Sequence, residues 1–196
     1  IVSNKLSEVD HKTLMLLPNN LKKMNGIFPI LEGNVFNLIK KSVEHNDKII
    51  INENDHFISF DYDDDTVFPD LNYKNDDELW KSSILRECRG LILSKCTGHV
   101  LARRFHKFFN INEKNETLFD DIFEKLLDSN TTVYEKLDGT LISPILLDDD
   151  TNTLLWATRN NISVEVTNFV NLSDKNYVEY VTFYLKNNIT PLFEWC

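Results

Sequence analysis

The 196 residues carry 42% hydrophobic and 11% aromatic side chains with only five Gly and five Pro, the composition of a folded globular protein rather than a disordered or fibrous one. Apolar runs such as Ile49-Ile50-Ile51 and Leu91-Ile92-Leu93 stop after a few residues, well short of the roughly 20 a membrane-spanning helix needs, so no membrane role is expected. The net charge of −10 argues on its face against a nucleic-acid partner, because phosphate contacts want a basic surface.

That average hides an asymmetry. Asp61 to Glu78 holds eight acids against the single base Lys74, whereas Arg86 to Asn110 holds Arg86, Arg89, Lys95, Arg103, Arg104 and Lys107 against the single acid Glu87. The basic run is where phosphate is expected to dock. Cys88, Cys96 and Cys196 are odd in number and lack metal-ligand spacing, which suggests neither a disulfide framework nor a zinc site. No secretory leader opens the sequence, and an intracellular, cytoplasmic setting is the expectation.

In chain order, Val9, Leu14, Leu17 and Leu21 suggest a helix over Ser7 to Lys23 interrupted at Pro18. Val35 to Val43 has helical spacing with Asn34 as its cap. Ile49-Ile50-Ile51 and Phe57 to Tyr62 read as strands, the second by its alternation. Asp61 to Glu78 reads as a solvated loop, with a metal or partner site as the alternative.

Leu91 to Leu93 and His99 to Ala102 flank a Gly-containing turn and form a hairpin that presents the basic residues. Thr117 to Asp128 has helical spacing in Leu118, Ile122, Phe123, Leu126 and Leu127, and Thr131 to Tyr134 resumes β-type residues, placing Lys136 at a strand end. A second hairpin, Leu141 to Leu147 with Thr153 to Ala157, follows. A helical stretch from Phe169 to Leu185 and a strand from Leu192 to Trp195 close the chain.

Lys136-Leu137-Asp138-Gly139 places an amine beside a carboxylate and a flexible residue. Such an amine is a nucleophile once it loses its proton, which neighbouring cations and desolvation promote. The same four residues also make an ordinary turn between strands, with Gly supplying a positive φ. His99 and His106 have no partner acid and read as surface or satisfied core residues. If the segment around Phe108 and Phe109 is a strand, the two rings face opposite sides and one is core. Phe193 and Trp195 share a packing face, leaving Glu194 on the other.

Four segments in order make the chain resemble the phage-type RNA ligases of the covalent nucleotidyltransferase superfamily. Glu87-Cys88-Arg89-Gly90 precedes an apolar strand, and Lys107-Phe108-Phe109-Asn110 ends near Glu113. Lys136-Leu137-Asp138-Gly139 matches the adenylylation motif, and Pro191-Leu192-Phe193-Glu194-Trp195 the family's Phe-Glu-aromatic segment. Trp156-Ala157-Thr158-Arg159 occupies a further motif's place but departs from its small-residue and lysine content.

The resemblance covers about residues 86–196, the nucleotide-binding core, with residues 1–85 a weakly matched N-terminal part of the same domain. It implies an α+β fold, a bent antiparallel sheet with surrounding helices, as in a nucleotidyltransferase (ATP-grasp-like ligase) domain. It further implies an ATP-dependent RNA ligase in which Lys136 takes AMP, while Arg89 and Lys107 hold phosphates and Phe109 helps build the pocket. Asp138 would orient the lysine or the hydrated metal beside Gly139. Glu194 would approach the ribose or metal-bound water.

ATP, Mg²⁺ (or Mn²⁺) and RNA ends, a 5′-phosphate and a 3′-hydroxyl, are the implied partners. Lys-Phe-Phe-Asn also resembles tRNA-splicing ligases, and DNA ligases and capping enzymes share Lys-x-Asp-Gly; an inactive nucleotide- or RNA-binding module is the reading from another class. The family's acidic-Gly and Lys-x-Lys segments do not follow Trp195, and the resemblance implies an apparent truncation after the third motif, with a site these residues build only in part.

Overall fold

The computed structural model describes residues 23–147, 153–173 and 175–196. The helix expected over Ser7 to Lys23 lies outside these residues except for Lys23.

The fold is α+β and every paired strand in it is antiparallel. A two-residue pair, β1 (Met24–Asn25) with β2 (Phe28–Pro29), leads into helix α1 (Phe36–Val43). Strands β3 (Ile49–Glu53) and β4 (Phe57–Tyr62) precede helix α2 (Asp76–Glu87), and β5 (Leu91–Ser94) and β6 (Val100–Ala102) follow it. These form a sheet of order β3-β4-β5-β6. A 3₁₀ turn (Asn115–Thr117) and helix α3 (Phe119–Leu126) separate it from β7 (Thr140–Leu146) and β8 (Leu154–Ala157). Helices α4 (Val164–Ser173) and α5 (Lys175–Lys186) and strand β9 (Phe193–Trp195) complete a second sheet region of order β8-β7-β9.

Side-chain alternation explains the layering. Leu91 and Leu93 of β5 face one way, where Ile58 and Phe60 of β4 join Val35, Ile39 and Val43 of the α1 region and Trp80, Ile84 and Cys88 of α2. The four-residue spacing in each helical set puts its apolar groups on one face. Ile92, between those two leucines, faces the other way and packs with Ala102, Ile145, Leu147 and Ala157, joining the two sheets. On the outer face of the second sheet, Ile142 and Trp156 meet Val166 of α4 and Val181 of α5. The order is therefore helices, sheet, sheet, helices. Each fully buried large side chain in these layers contributes about 1.5–3 kcal/mol through loss of water contact.

The expected single bent sheet is instead two packed sheets, because the chain leaves β6 at Arg103 and forms no strand again until Thr140. Thr131 to Tyr134, read as strand from its β-type residues, is exposed and irregular: Val133 is 76% and Tyr134 83% exposed, with no strand beside them to pair. The helical stretch expected from Phe169 to Leu185 is two helices, α4 and α5. Asn34 does not cap α1. Val35 takes the cap position without a side-chain bond, and the Asn34 amide lies against Gly98 of the β5–β6 turn, where a Cβ would collide with it.

The acidic stretch begins at the end of β4 and is a loop only from Asp63 to Asn75. That side chain accepts hydrogen bonds from the N–H groups of Asp77 (3.1 Å) and Glu78 (3.2 Å) and starts α2. Asp76, Asp77 and Glu78 then stand in the first turn, where the helix dipole favours anions.

Candidate functional site

Helix α2 ends at Cys88, whose N–H bonds the carbonyls of Ile84 and Leu85, and Arg89 follows immediately. Gly90 then turns the chain into β5 with φ +73°. A Cβ there would strike the Arg104 guanidinium and lie 2.7 Å from the Arg159 carbonyl oxygen, so only glycine lets the 158–160 turn pack against the Arg89 segment. Arg89 points its guanidinium over the Phe108 ring at 5.0 Å.

Lys136 lies on the irregular segment before β7 and not at a strand end. Gly139 sets how closely that segment approaches β9. A Cβ on Gly139 would collide with the Trp195 carbonyl oxygen and come within 3.2 Å of Glu194 Cγ. Its φ is not positive, so the glycine is required for close approach rather than for turn handedness. Residue Leu141 pairs with Glu194 across β7 and β9. Phe193 packs on Trp156 (5.3 Å) and Trp195 on Phe169 (5.1 Å), and Glu194 lines the cleft together with Leu192 and Phe193.

Together these segments bound an open cleft of about 1060 Å³ lined by Lys136, Arg89, Glu194, Gly139, Tyr134, Glu135, Phe105, Phe108 and Arg159. Of the residues singled out from the sequence, Lys136, Arg89, Gly139 and Glu194 meet here. Asp138 is exposed and is not among the lining residues.

Lys107 and Phe109 also lie elsewhere, because residues 103–110 form no strand. The Lys107 ammonium sits 5.2 Å from the Phe109 ring centre and 5.7 Å from those of Tyr62 and Phe68. Phe109 packs edge-on to Phe68 at 5.7 Å with the Arg86 guanidinium 4.8 Å away. The cleft is lined by Phe105 and Phe108, which touch edge to face at 6.5 Å and are 54% and 57% exposed. Phe105 and Tyr134 carry no role in the sequence analysis, and Arg159 enters it only within the divergent Trp156-Ala157-Thr158-Arg159 segment. The available signal was an aromatic on either side of His106-Lys107.

The basic run does not form a phosphate-docking strip. Arg86 is buried and holds Glu116 and the Pro69 carbonyl (3.0 Å). Arg103 grips Glu87 through Nε (2.8 Å) and Nη2 (2.5 Å), and burial raises the Glu87 pKa above the usual carboxylate range against the pull of Arg103. Arg104, its pKa pushed down to about 10 by burial, donates to the carbonyls of Gly90 and Ala157 and ties the two sheets together. Its charge persists at neutral pH. His99 is exposed, whereas His106 is half-buried edge-on to Phe28 (5.2 Å).

Among the described residues no three His, Cys, Asp or Glu side chains form a metal-holding group. The cleft carboxylates Glu135 and Glu194 instead suit Mg²⁺, which keeps several waters and takes one or two carboxylates together with substrate phosphates. No helix among the described residues is long and apolar enough to cross a membrane.

A family model described as RNA ligase matches residues 87–196. A protein of Thermovibrio ammonificans named "Putative RNA ligase" is 29% identical over 120 residues, which are 61% of this chain and 30% of that protein. A protein of Autographa californica nuclear polyhedrosis virus named "Putative bifunctional polynucleotide kinase/RNA ligase" is 40% identical over 75 residues, 37% of this chain and 11% of that protein. The aligned stretches thus span well under half the length of these relatives.

Proposed function

Because the chain belongs to the RNA ligase family, we propose that it builds the nucleotide-accepting site of an ATP-dependent RNA ligase, with Lys136 as the residue that takes AMP. The reading is carried by one observation: Lys136, Arg89 and Glu194, far apart in sequence, line a single cleft.

In the proposed reaction the unprotonated Lys136 Nζ attacks the α-phosphorus of ATP. The new N–P bond forms as the bond to pyrophosphate breaks, leaving AMP on the lysine. The AMP then moves to a 5′-phosphate RNA end, and a 3′-hydroxyl attacks that phosphate and releases AMP. Phosphoryl transfer depends on positioning and on stabilising charge over the phosphate oxygens, which is the role given to the Arg89 guanidinium. Lys107 and Phe109, which sit together beside Tyr62 and Phe68 outside the cleft lining, take no direct part in this reading. Glu194 and Glu135, the two carboxylates of the cleft lining, would hold Mg²⁺ (or Mn²⁺) through water, and the ion would neutralise phosphate charge.

The test is incubation with α-labelled ATP or GTP and a divalent metal. Acid-labile label from ATP, abolished in Lys136→Ala, is the expected result. Label from GTP alone points to capping chemistry, and no label at all leaves a nucleotide- or RNA-binding module.

A further inference from the structure

Arg159 stands at the cleft beside Arg89, yet its guanidinium is held from behind by a strand outside the matched segment. Its Nε donates to Asp61 Oδ1 at 3.0 Å and its Nη2 to the Tyr62 carbonyl at 2.7 Å. The guanidinium carbon lies 4.0 Å from the centre of the Tyr62 ring. Asp61 Oδ1 also accepts the Tyr62 N–H (2.8 Å), and the Asp61 side chain is only 9% exposed. β4 therefore presents a buried carboxylate, a carbonyl and a ring face that fit one planar cation at three points.

The remaining edge of that cation faces outward. Its nearest acid there is Asp64, 3.9 Å from Nη1 and 93% exposed, too solvated to bind it firmly. Gly90 brings the Arg159 backbone against the Arg89 segment, and both arginines line the cleft that holds Lys136. Gathering like charges is unfavourable unless an anion joins them, and Asp61 offsets the repulsion from inside while leaving the open side for a ligand.

We propose that Asp61 is a positioning residue that fixes Arg159 as a phosphate-binding cation of the Lys136 cleft, so that β4 contributes to the site through a clamp of Asp61 and Tyr62. This rests on the reading of the cleft as a nucleotide site. The ligand edge is Nη1 of Arg159, and the group it takes is a phosphate of ATP. Asp61 touches no substrate.

The test uses protein carrying Lys136→Ala, which removes the proposed nucleophile so that binding is read apart from reaction. The Kd for ATP is measured with and without Asp61→Asn, Arg159→Gln and both, with adenosine as the phosphate-free control. Each single change is expected to raise the ATP Kd about tenfold, the loss typical of a charge-assisted bond. The double variant should match Arg159→Gln alone, and the adenosine affinity should not move. A further loss from Asp61→Asn in the Arg159→Gln background, an equal fall for adenosine, or ATP binding that is absent or indifferent to Arg159→Gln would overturn the proposal.

Should Asp61→Asn not melt cooperatively, Arg159→Lys carries the same test. It keeps the charge but cannot hold both clamp oxygens, so unchanged ATP affinity refutes the clamp and a several-fold loss supports it. Labelling of Lys136 in the otherwise native protein is followed separately. Absence of label with Arg159-dependent ATP binding would sink the ligase chemistry and leave the clamp standing.

Discussion

Replacing Gly139 with alanine tests whether close approach to β9, and not turn handedness, fixes the geometry beside Lys136. The added methyl would collide with the Trp195 carbonyl oxygen while lying 3.0 Å from its carbon and 3.2 Å from Glu194 Cγ. Two of these neighbours are backbone, so no rotamer change relieves the contact. Restoring ordinary van der Waals separation needs a displacement of about 1 Å between residue 139 and β9. Strand β9 is three residues long and is paired only with β7 among the described strands, so it is the part that moves. Its shift loosens Phe193 from Trp156 and Trp195 from Phe169. Overpacking of this kind costs about 1–3 kcal/mol, or roughly 2–12 °C in melting temperature at 2–4 °C per kcal/mol for a chain of this size. Circular dichroism melts measure it, and label transfer to Lys136 should fall as well because Glu194 moves. Gly139→Asn provides the discriminating arm: asparagine tolerates a positive φ but is larger, so it should be no better than alanine. A wild-type melting temperature for Gly139→Ala, or rescue by asparagine, refutes the reasoning.

Phe108→Ala should melt within about 1 °C of wild type, as expected for an exposed side chain, while raising the Kd for ATP about fivefold or more if a base stacks there. Phe109→Ala should instead destabilise by about 3 kcal/mol, because it empties the cluster with Phe68 and Tyr62; denaturant melts of the pair separate the two roles. Glu116→Ala leaves the Arg86 side chain, 1% exposed, without its carboxylate and should cost about 3 kcal/mol in urea unfolding. His106, whose pKa burial and then the nearby Arg86 lower to about 4, favours the folded state when neutral. Its contribution is complete above the unfolded value near 6.5 and is lost as pH falls from there toward 4. After discounting for its partial exposure, that is roughly 2 kcal/mol. His106→Leu should flatten this part of the stability–pH curve, and an unchanged slope would count against it.

The hairpins were legible because their signals are local. Leu91 to Ala102 shows two apolar runs flanking a Gly-containing turn, and β5 and β6 follow them closely. Helix α2 was not, because Ser82, Ser83, Arg86 and Glu87 are buried alongside Ile84 and Leu85. A helix enclosed on most sides, with polar residues satisfied by distant partners, shows no amphipathic period. Its start was nevertheless written in Asn75-Asp76-Asp77-Glu78, a capping residue followed by acids. Thr131 to Tyr134 failed in the opposite sense: β-type residues make a strand only where another strand offers hydrogen bonds, and none lies beside them.

Charge was the least readable property. Arg86, Arg103 and Arg104 look in sequence like a phosphate-docking strip, yet each is committed to internal partners, Glu116, Glu87 and the carbonyls of Gly90 and Ala157. The lining cations Arg89, Lys136 and Arg159 are separated by 47 and 23 residues of chain, and their meeting depends on Gly90 and Gly139 admitting close backbone approach. A run of bases therefore measures neither the charge of a site nor its position. In an acidic chain a small cleft lined by these three cations is compatible with a net charge of −10, because distant surface acids are screened within about 8–10 Å by salt.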